Sequence, residues 1–212
     1  MDTNYSPNPE LTEVINWLRN NNYPPLPVAP AQNPKQYHKV VNTDNPTKKT
    51  WTHCPLNDKV EPIPLYTGKN PSYLDKNGNP HLVNHSQYQK RLPSVGELKQ
   101  WFANPSNGIG TLGGWNNTIW LDFDTKHFDS ESAYENAIAS ILENHPQLQE
   151  TWLERTQSNG WRIGIRVQEL PKFTNFALEP GGKHVGEALG AGRFTVLAPT
   201  IGPSLNPYRS IN

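Results

Sequence analysis

The sequence predicts an α+β fold, with a sheet that carries acidic residues and is backed by helices. Three observations predict this class: segments whose apolar residues follow helical spacing, a strongly apolar strand that ends in two aspartates, and several short strands after it. Strands that follow one another, without regular alternation with helices, are typical of α+β domains. A chain of 212 residues is long enough to bury a sizeable core as one domain.

The first predicted helix begins at Asn8 and Pro9 and ends at residues 20–22. Its apolar face is formed by Leu11, Val14, Ile15 and Leu18. The composition then changes, and from Tyr23 to His81 the chain is crowded with Pro, Asn and Lys. We therefore expect a loop-rich segment with short strands and no core of its own. Three aromatic residues are expected to anchor its loops, namely Trp51, Tyr66 and Tyr73.

Two further helices are predicted on either side of the acidic strand. Ser94 and Glu97 have the spacing of a capping box, and Pro105 stops the helix that they open. Asp129 or Ser130 caps the next helix, which ends before Pro146. The first helix should bury Val95, Leu98, Trp101 and Phe102, and the second should bury Tyr134, Ala137, Ile138, Ile141 and Leu142.

The acidic strand, IWLDFD at residues 119–124, is the most informative segment of the chain. Side chains alternate along a strand, so Asp122 and Asp124 project from the same side as Trp120. The other side, with Ile119, Leu121 and Phe123, should face a core. Two aspartates held together repel each other unless a cation lies between them, which suggests a divalent metal site suited to phosphoryl transfer. The alternative is a solvated strand end.

A second informative segment is SNGWRIGIRV at residues 158–167, where a tight turn at Ser158 leads into a strand. Arg162, Gly164 and Arg166 should share one face of that strand. Two guanidinium groups would then flank a residue without a side chain, which leaves room for a phosphate-bearing ligand over the sheet. Two exposed arginines on an edge strand are the alternative.

The third segment is GEALGAGRFTVLAPT at residues 186–200. Glu187 would complete a two-metal site if its strand lies beside the acidic strand. Gly190 and Gly192 turn the chain into another predicted strand, and they allow either a close backbone approach or a simple hairpin turn. Arg193 follows directly after that turn.

On these three segments the chain resembles the archaeo-eukaryotic primase superfamily, in particular the primase-polymerase domains of plasmid, phage and mobile-element replication proteins. Asp122 and Asp124 match the acidic pair of the family's first motif, and Glu187 matches the acidic residue of the third. The second motif matches in part, because Arg162 stands where most members have a histidine that contacts the nucleotide's phosphates. The similarity covers most of residues 63–203, including a lysine-proline element around Lys69.

The resemblance implies an RRM-like antiparallel catalytic sheet within about residues 93–212, joined to a smaller α/β module within about residues 1–92. It implies template-directed addition of nucleotides to a 3′-hydroxyl, with two Mg²⁺ or Mn²⁺ ions held by Asp122, Asp124 and Glu187. The implied phosphate ligands are Arg162, Ser158, Arg166 and Arg193. The implied partners are dNTPs or NTPs, a single-stranded DNA template and a primer, together with a downstream helical or helicase domain or protein.

Composition adds several expectations. Nineteen basic and nineteen acidic residues balance, so we expect weak capture of single-stranded DNA and poor initiation of new primers. Nothing resembles a signal peptide or a membrane span. The single cysteine, Cys54, excludes internal disulfides and suggests a cytoplasmic protein, and with no second cysteine nearby it is not expected to bind metal with His53.

Two alternative functions remain open from the sequence. An Asp-x-Asp metal-dependent glycosyltransferase would use the same aspartate pair to hold a nucleotide diphosphate through a cation. A catalytically degenerate module that binds nucleotide or nucleic acid is the other alternative, and the arginine at position 162 is its main support.

Overall fold

The computed structural model describes residues 4–31, 38–41, 49–52, 66–171 and 174–211. Helices and antiparallel sheets make up these ranges, which confirms the predicted α+β class. The helices are α1 (Pro9–Asn20), α2 (Val95–Trp101) and α3 (Glu131–Asn144). The strands are β1 (Leu26–Val28), β2 (His38–Val41), β3 (Lys49–Thr52), β4 (Ser72–Leu74), β5 (Pro80–Leu82), β6 (Gly108–Leu112), β7 (Thr118–Phe123), β8 (Trp152–Arg155), β9 (Trp161–Arg166), β10 (Thr174–Ala177), β11 (His184–Leu189), β12 (Phe194–Leu197) and β13 (Arg209–Ser210). No helix within the described ranges is long and apolar enough to cross a membrane.

Each helix begins at a polar cap, as the sequence predicts. The Asn8 side chain accepts hydrogen bonds from the first backbone N–H groups of α1. Ser94 and Glu97 form the predicted capping box at the start of α2. Of the two candidate caps for α3, Ser130 caps the helix and Asp129 does not.

The predicted apolar faces of the helices are buried in part: Val14, Ala137, Ile141 and Leu142 are half-buried, and one residue is exposed. Leu11, Ile15 and Leu18 of α1 are buried, and so are Leu98 and Trp101 of α2. The prediction for Val95 is wrong, because this side chain is 41% exposed. It is the first residue of α2 and lies beyond the part of the helix that packs on the core.

Six strands form the main sheet, in the order β10-β11-β7-β9-β8-β13, and every neighbouring pair is antiparallel. One face of this sheet packs against α3. Phe123, Leu153 and Ile163 from three adjacent strands meet Tyr134 and Ile138 of the helix in one buried cluster. The prediction that this side of the acidic strand faces a core is therefore confirmed.

The opposite face of the main sheet is covered in part by α1, α2 and a second, smaller sheet. Trp120 and Leu189 lie in a large cluster with Ile15 of α1 and Leu98 of α2. The same cluster includes Ile109 from a smaller three-stranded sheet, ordered β1-β6-β12. The main sheet is thus buried between α3 and this second layer, and only part of its polar face stays open.

The small sheet contains strands from both sides of residue 92. β6 lies in its middle and pairs with β1 from the amino-terminal part on one side and with β12 on the other. Ile109 of β6 and Leu197 of β12 lie opposite each other, and both are fully buried. The carboxyl-terminal strand of the third motif therefore belongs to the small sheet, and the two parts of the chain are interleaved.

Where the structure describes residues 23–81, it contains the short strands that the sequence predicts. These include the two-stranded sheets β2-β3 and β4-β5. Tyr66 and Tyr73 are buried, as expected of residues that anchor loops. The predicted absence of a metal site at His53 and Cys54 concerns residues outside the described ranges.

Candidate active site

A row of polar residues crosses the main sheet on the face opposite α3. Side chains at directly paired positions of neighbouring strands lie on the same face of a sheet. Glu187 pairs with Asp122, Asp122 pairs with Arg162, and Arg162 pairs with Glu154. The row continues to Asn175 on one side and Ser210 on the other. Glu187 therefore lies on the strand beside the acidic pair, the position that a two-metal site would require.

A cleft of about 290 Å³ opens over the middle of this row. Asp122, Asp124 and Glu187 all line it, together with residues from the small sheet and from the segment at Lys69. A smaller extension of about 60 Å³ shares several of these residues and reaches the turn before β9, where Ser158 lines it. The three candidate metal ligands and two candidate phosphate ligands, Arg162 and Ser158, therefore lie around a single cleft.

Close packing of the strands brings Glu187 beside Asp122. Gly186 precedes Glu187, and a Cβ atom at that position would lie 2.4 Å from the backbone oxygen of Asp122. Only glycine permits this approach of β11 to β7. Glu187 itself is exposed and faces the cleft.

Asp124 lies just beyond the end of β7, where it caps a short helical turn. Its carboxylate accepts a hydrogen bond from the backbone N–H of Lys126 and forms an ion pair of 2.5 Å with the Lys126 ammonium group. Burial raises the pKa of Asp124, but these contacts outweigh that effect and hold the pKa below its ordinary value. The pKa of Lys126 is raised by the hydrogen bond to Asp124 and also by the negative charges of Glu187 and Asp122. A positive charge therefore already sits among the three carboxylates.

Arg162 belongs to the same row and is buried, with an exposed fraction of only 4%. One guanidinium nitrogen is 3.1 Å from the Asp122 carboxylate, and the other terminal nitrogen is 3.0 Å from the carboxylate of Glu154. The second nitrogen also donates to the backbone oxygen of Val196. Burial alone would lower the pKa of Arg162, but the charges of Asp122 and Glu154 raise it. The guanidinium group is thus held by protein partners at the floor of the cleft.

Two other predicted phosphate ligands lie away from the cleft. Arg166 is exposed and pairs with Thr118, four residues along β9 from Arg162, which corresponds to about 13 Å. Arg193 is exposed in the turn before β12, where its backbone oxygen accepts a hydrogen bond from the Gly113 N–H. Neither residue is among those that line the cleft.

The predicted space over Gly164 is filled by the protein itself. Trp120 pairs with Gly164 across the two strands, and a Cβ atom on Gly164 would lie 2.8 Å from the Trp120 ring. The expectation that a ligand lies there is therefore wrong. The glycine instead makes room for the indole ring of Trp120, which is buried in the large apolar cluster.

Several residues of the site were not assigned from the sequence. Lys126 lies two residues after the acidic pair and Glu154 lies in the short strand WLER, and neither spacing matches a motif. Tyr208 lies near the carboxyl end, and its ring is 5.4 Å from the guanidinium carbon of Arg162. Lys69 was noted only for its lysine-proline element, yet it lines both parts of the cleft.

Fold and site together define a class of protein: an α+β domain in which carboxylates on adjacent antiparallel strands and the following turn line a cleft beside basic residues. The profile of the Prim-Pol family, described as bifunctional DNA primase/polymerase, N-terminal, matches residues 16–212. Since this match covers most of the chain, the protein belongs to the Prim-Pol family, and the resemblance found in the sequence is confirmed. Membership indicates a DNA primase or polymerase role. No curated protein matches the chain.

Proposed function

We propose that this domain is a template-directed nucleotidyltransferase, which adds nucleotides to the 3′-hydroxyl of a primer or an initiating nucleotide. The observation that carries the proposal is the pairing of Glu187 with Asp122 on adjacent strands, with Asp124 lining the same cleft. Such a set of oxygen donors suits Mg²⁺ or Mn²⁺. In the proposal Asp122, Asp124 and Glu187 hold two such ions.

The ammonium group of Lys126 supports the fit of a cation to this cleft. Its charge interacts with all three carboxylates, so it stands where a metal ion would be attracted. Within the described part of the chain, no three His, Cys, Asp or Glu side chains are grouped closely enough to hold an ion as they stand. A cation held by Asp122, Asp124 and Glu187 would compete with Lys126 for the carboxylate of Asp124.

Divalent ions at this site would lower the pKa of the attacking hydroxyl and neutralise charge on the triphosphate. The chain itself supplies the placement of the reactants. Asp122 is fixed on a central strand, and Glu187 is fixed on its neighbour, so the reacting groups would meet over rigid elements. Nucleotide addition in this scheme depends mainly on positioning and on compensation of charge.

The basic residues at the rim of the cleft are the proposed contacts for the triphosphate. Lys69 is exposed and lines both parts of the cleft, and Lys126 becomes available when it leaves Asp124. Ser158 can donate its hydroxyl from the turn before β9. Arg162 has a supporting place in this scheme, because its guanidinium group is held by carboxylates below the cleft.

We further propose that the main sheet is the RRM-like catalytic sheet of the family. Its antiparallel order and the packing of α3 on one face support this assignment. The proposed partners are dNTPs or NTPs, a primer and a single-stranded template. A glycosyltransferase is disfavoured, because the match to the Prim-Pol family covers all three segments that carry the site.

A second candidate function is a module that binds nucleotide without turning it over. Arg162 favours this candidate, since it occupies the histidine position and is engaged in buried ion pairs. Incubation with an annealed primer and template, labelled dNTPs or NTPs, and Mn²⁺ or Mg²⁺ separates the two functions. Template-dependent extension that is lost in Asp122→Asn supports the polymerase. Binding of nucleotide without any extension supports the degenerate module.

A further inference from the structure

Glu154 is a buried carboxylate that has no part in the proposed chemistry. It lies on β8 and is fully buried. Three donors surround it: a guanidinium nitrogen of Arg162 at 3.0 Å, the indole N–H of Trp152 at 2.9 Å and the backbone N–H of Ala198 at 3.1 Å. A buried charge with this many partners is held in one place.

The contacts of Arg162 connect Glu154 to the cleft. The guanidinium group is planar and rigid, so fixing one terminal nitrogen also fixes the other. Glu154 and the backbone oxygen of Val196 hold one nitrogen, and the second nitrogen lies 3.1 Å from Oδ2 of Asp122. The three side chains occupy paired positions on β8, β9 and β7. A continuous set of contacts therefore runs through the sheet from a buried carboxylate to a proposed metal ligand.

Glu154 also compensates the charge of Arg162. Arg162 alone would cancel the charge of Asp122 and repel a cation in the cleft. With Glu154 on its other side, the group of three keeps one net negative charge, since two carboxylates share one guanidinium group. Asp122 can then be oriented by a hydrogen bond and still attract a divalent ion.

We propose that Glu154 is a positioning residue, which holds Arg162 so that it orients one oxygen of Asp122 and leaves the other for a cation. The inference rests on the proposed function, and it explains how an arginine is accommodated where the family has a histidine. The role predicted for Arg162 changes accordingly, from a phosphate ligand to a support for Asp122.

The test is the dissociation constant of Mn²⁺ alone, measured by electron paramagnetic resonance on the full chain without nucleotide. Glu154→Gln keeps the shape of the side chain and removes its charge. Mutations of such supporting residues typically weaken metal affinity by about 10-fold to 100-fold, and we expect a loss in that range. In Glu154→Gln/Arg162→Gln the uncompensated guanidinium group is gone, so we expect Mn²⁺ affinity to recover in part. If Glu154 had a merely structural role, the double variant would bind Mn²⁺ at least as weakly as the single variant.

A matched control lies on the same strand. Arg155 pairs with Glu135 of α3 at 2.7 Å on the opposite face, away from the cleft. Glu135→Gln should leave Mn²⁺ affinity unchanged. Thermal unfolding shows whether Glu154→Gln folds. If it does not, Glu154→Asp replaces it in the test, since this variant keeps the charge but shortens the side chain. Weaker Mn²⁺ binding by Glu154→Asp then supports the inference, and unchanged binding contradicts it.

Each outcome bears on one of the two proposals. If the wild-type chain binds Mn²⁺ and the folded Glu154→Gln variant binds it with the same affinity, the positioning role alone is overturned. Equal loss of affinity in Glu135→Gln also overturns it. Wild-type chain that does not bind Mn²⁺ overturns the proposed metal site, and with it this inference.

Discussion

Replacing Arg162 by methionine should destabilise the fold, because it leaves Glu154 buried without a positive partner. Methionine fills a similar volume but cannot donate a hydrogen bond. Removal of one partner from a buried ion pair costs about 3–5 kcal/mol. Glu154 keeps the donors from Trp152 and Ala198, so we expect the lower end, a fall of about 3 kcal/mol in the free energy of unfolding. For a chain of this size that corresponds to a decrease in Tm of about 6–12 °C.

The pH dependence of this loss is also predicted. Burial raises the pKa of Glu154 even with Arg162 in place, and without Arg162 the rise should be larger. A carboxyl group whose pKa is raised in the folded chain gives stability below its unfolded pKa, and this stability is lost as the pH rises through the folded pKa. The deficit of Arg162→Met relative to wild type should therefore be smaller at about pH 5 than at about pH 8.

The free energy of unfolding in urea, measured at both pH values, tests this prediction. Glu135→Gln is the control for an ion pair of the same type. Glu135 and Arg155 are more exposed, so their pair should contribute about 1 kcal/mol or less. A deficit for Arg162→Met as small as that of the control, or one that does not change with pH, would show that Glu154 and Arg162 are not a coupled buried pair.

Three further predictions concern the cleft. Asp122→Asn and Glu187→Gln should each slow primer extension more than about 100-fold while the chain stays folded, because each loses a charged ligand of the proposed metal site; extension near the wild-type rate would remove that residue from the site. Lys126→Ala should tighten Mn²⁺ binding by about 5-fold, since a competing charge worth about 1 kcal/mol is lost. Weaker binding in isothermal titration would contradict the competition. Lys69→Ala should raise the KM for the nucleotide by about 10-fold, as expected for one charge-assisted hydrogen bond to a phosphate. A KM equal to that of the exposed-surface control Lys76→Ala would place the triphosphate elsewhere.

Periodicity and capping were sufficient to predict the helices and the orientation of the acidic strand. Helical spacing placed Leu11, Ile15 and Leu18 on the buried face of α1, and Ser94 with Glu97 located the start of α2. These signals are local, since they depend on residues within one or two turns of each other. The alternation within IWLDFD likewise separated Phe123 from Asp122 correctly.

The order of the strands could not be predicted from such local signals. Which strands pair depends on contacts between distant segments, for example β6 with β12 in the small sheet. The consequence is clearest at Gly164, where alternation alone suggested room for a ligand. The register of β7 against β9 puts Trp120 opposite that glycine, and the indole ring fills the space.

Glu154 could not be assigned to the candidate site from local signals either. Its contact with Arg162 bears on the motif in which this chain departs from the family. A histidine at position 162 could be neutral and would need no buried counter-charge. An arginine is always charged, and with Asp122 as its single carboxylate partner it would cancel the charge of that residue. Glu154, eight residues earlier in the chain, supplies a second carboxylate from the other neighbouring strand. The two residues have to be considered together, because Glu154 without Arg162 would be a buried charge without a positive partner. In the proposed function, contact with the phosphates is therefore assigned to Lys69 and Lys126, which line the cleft.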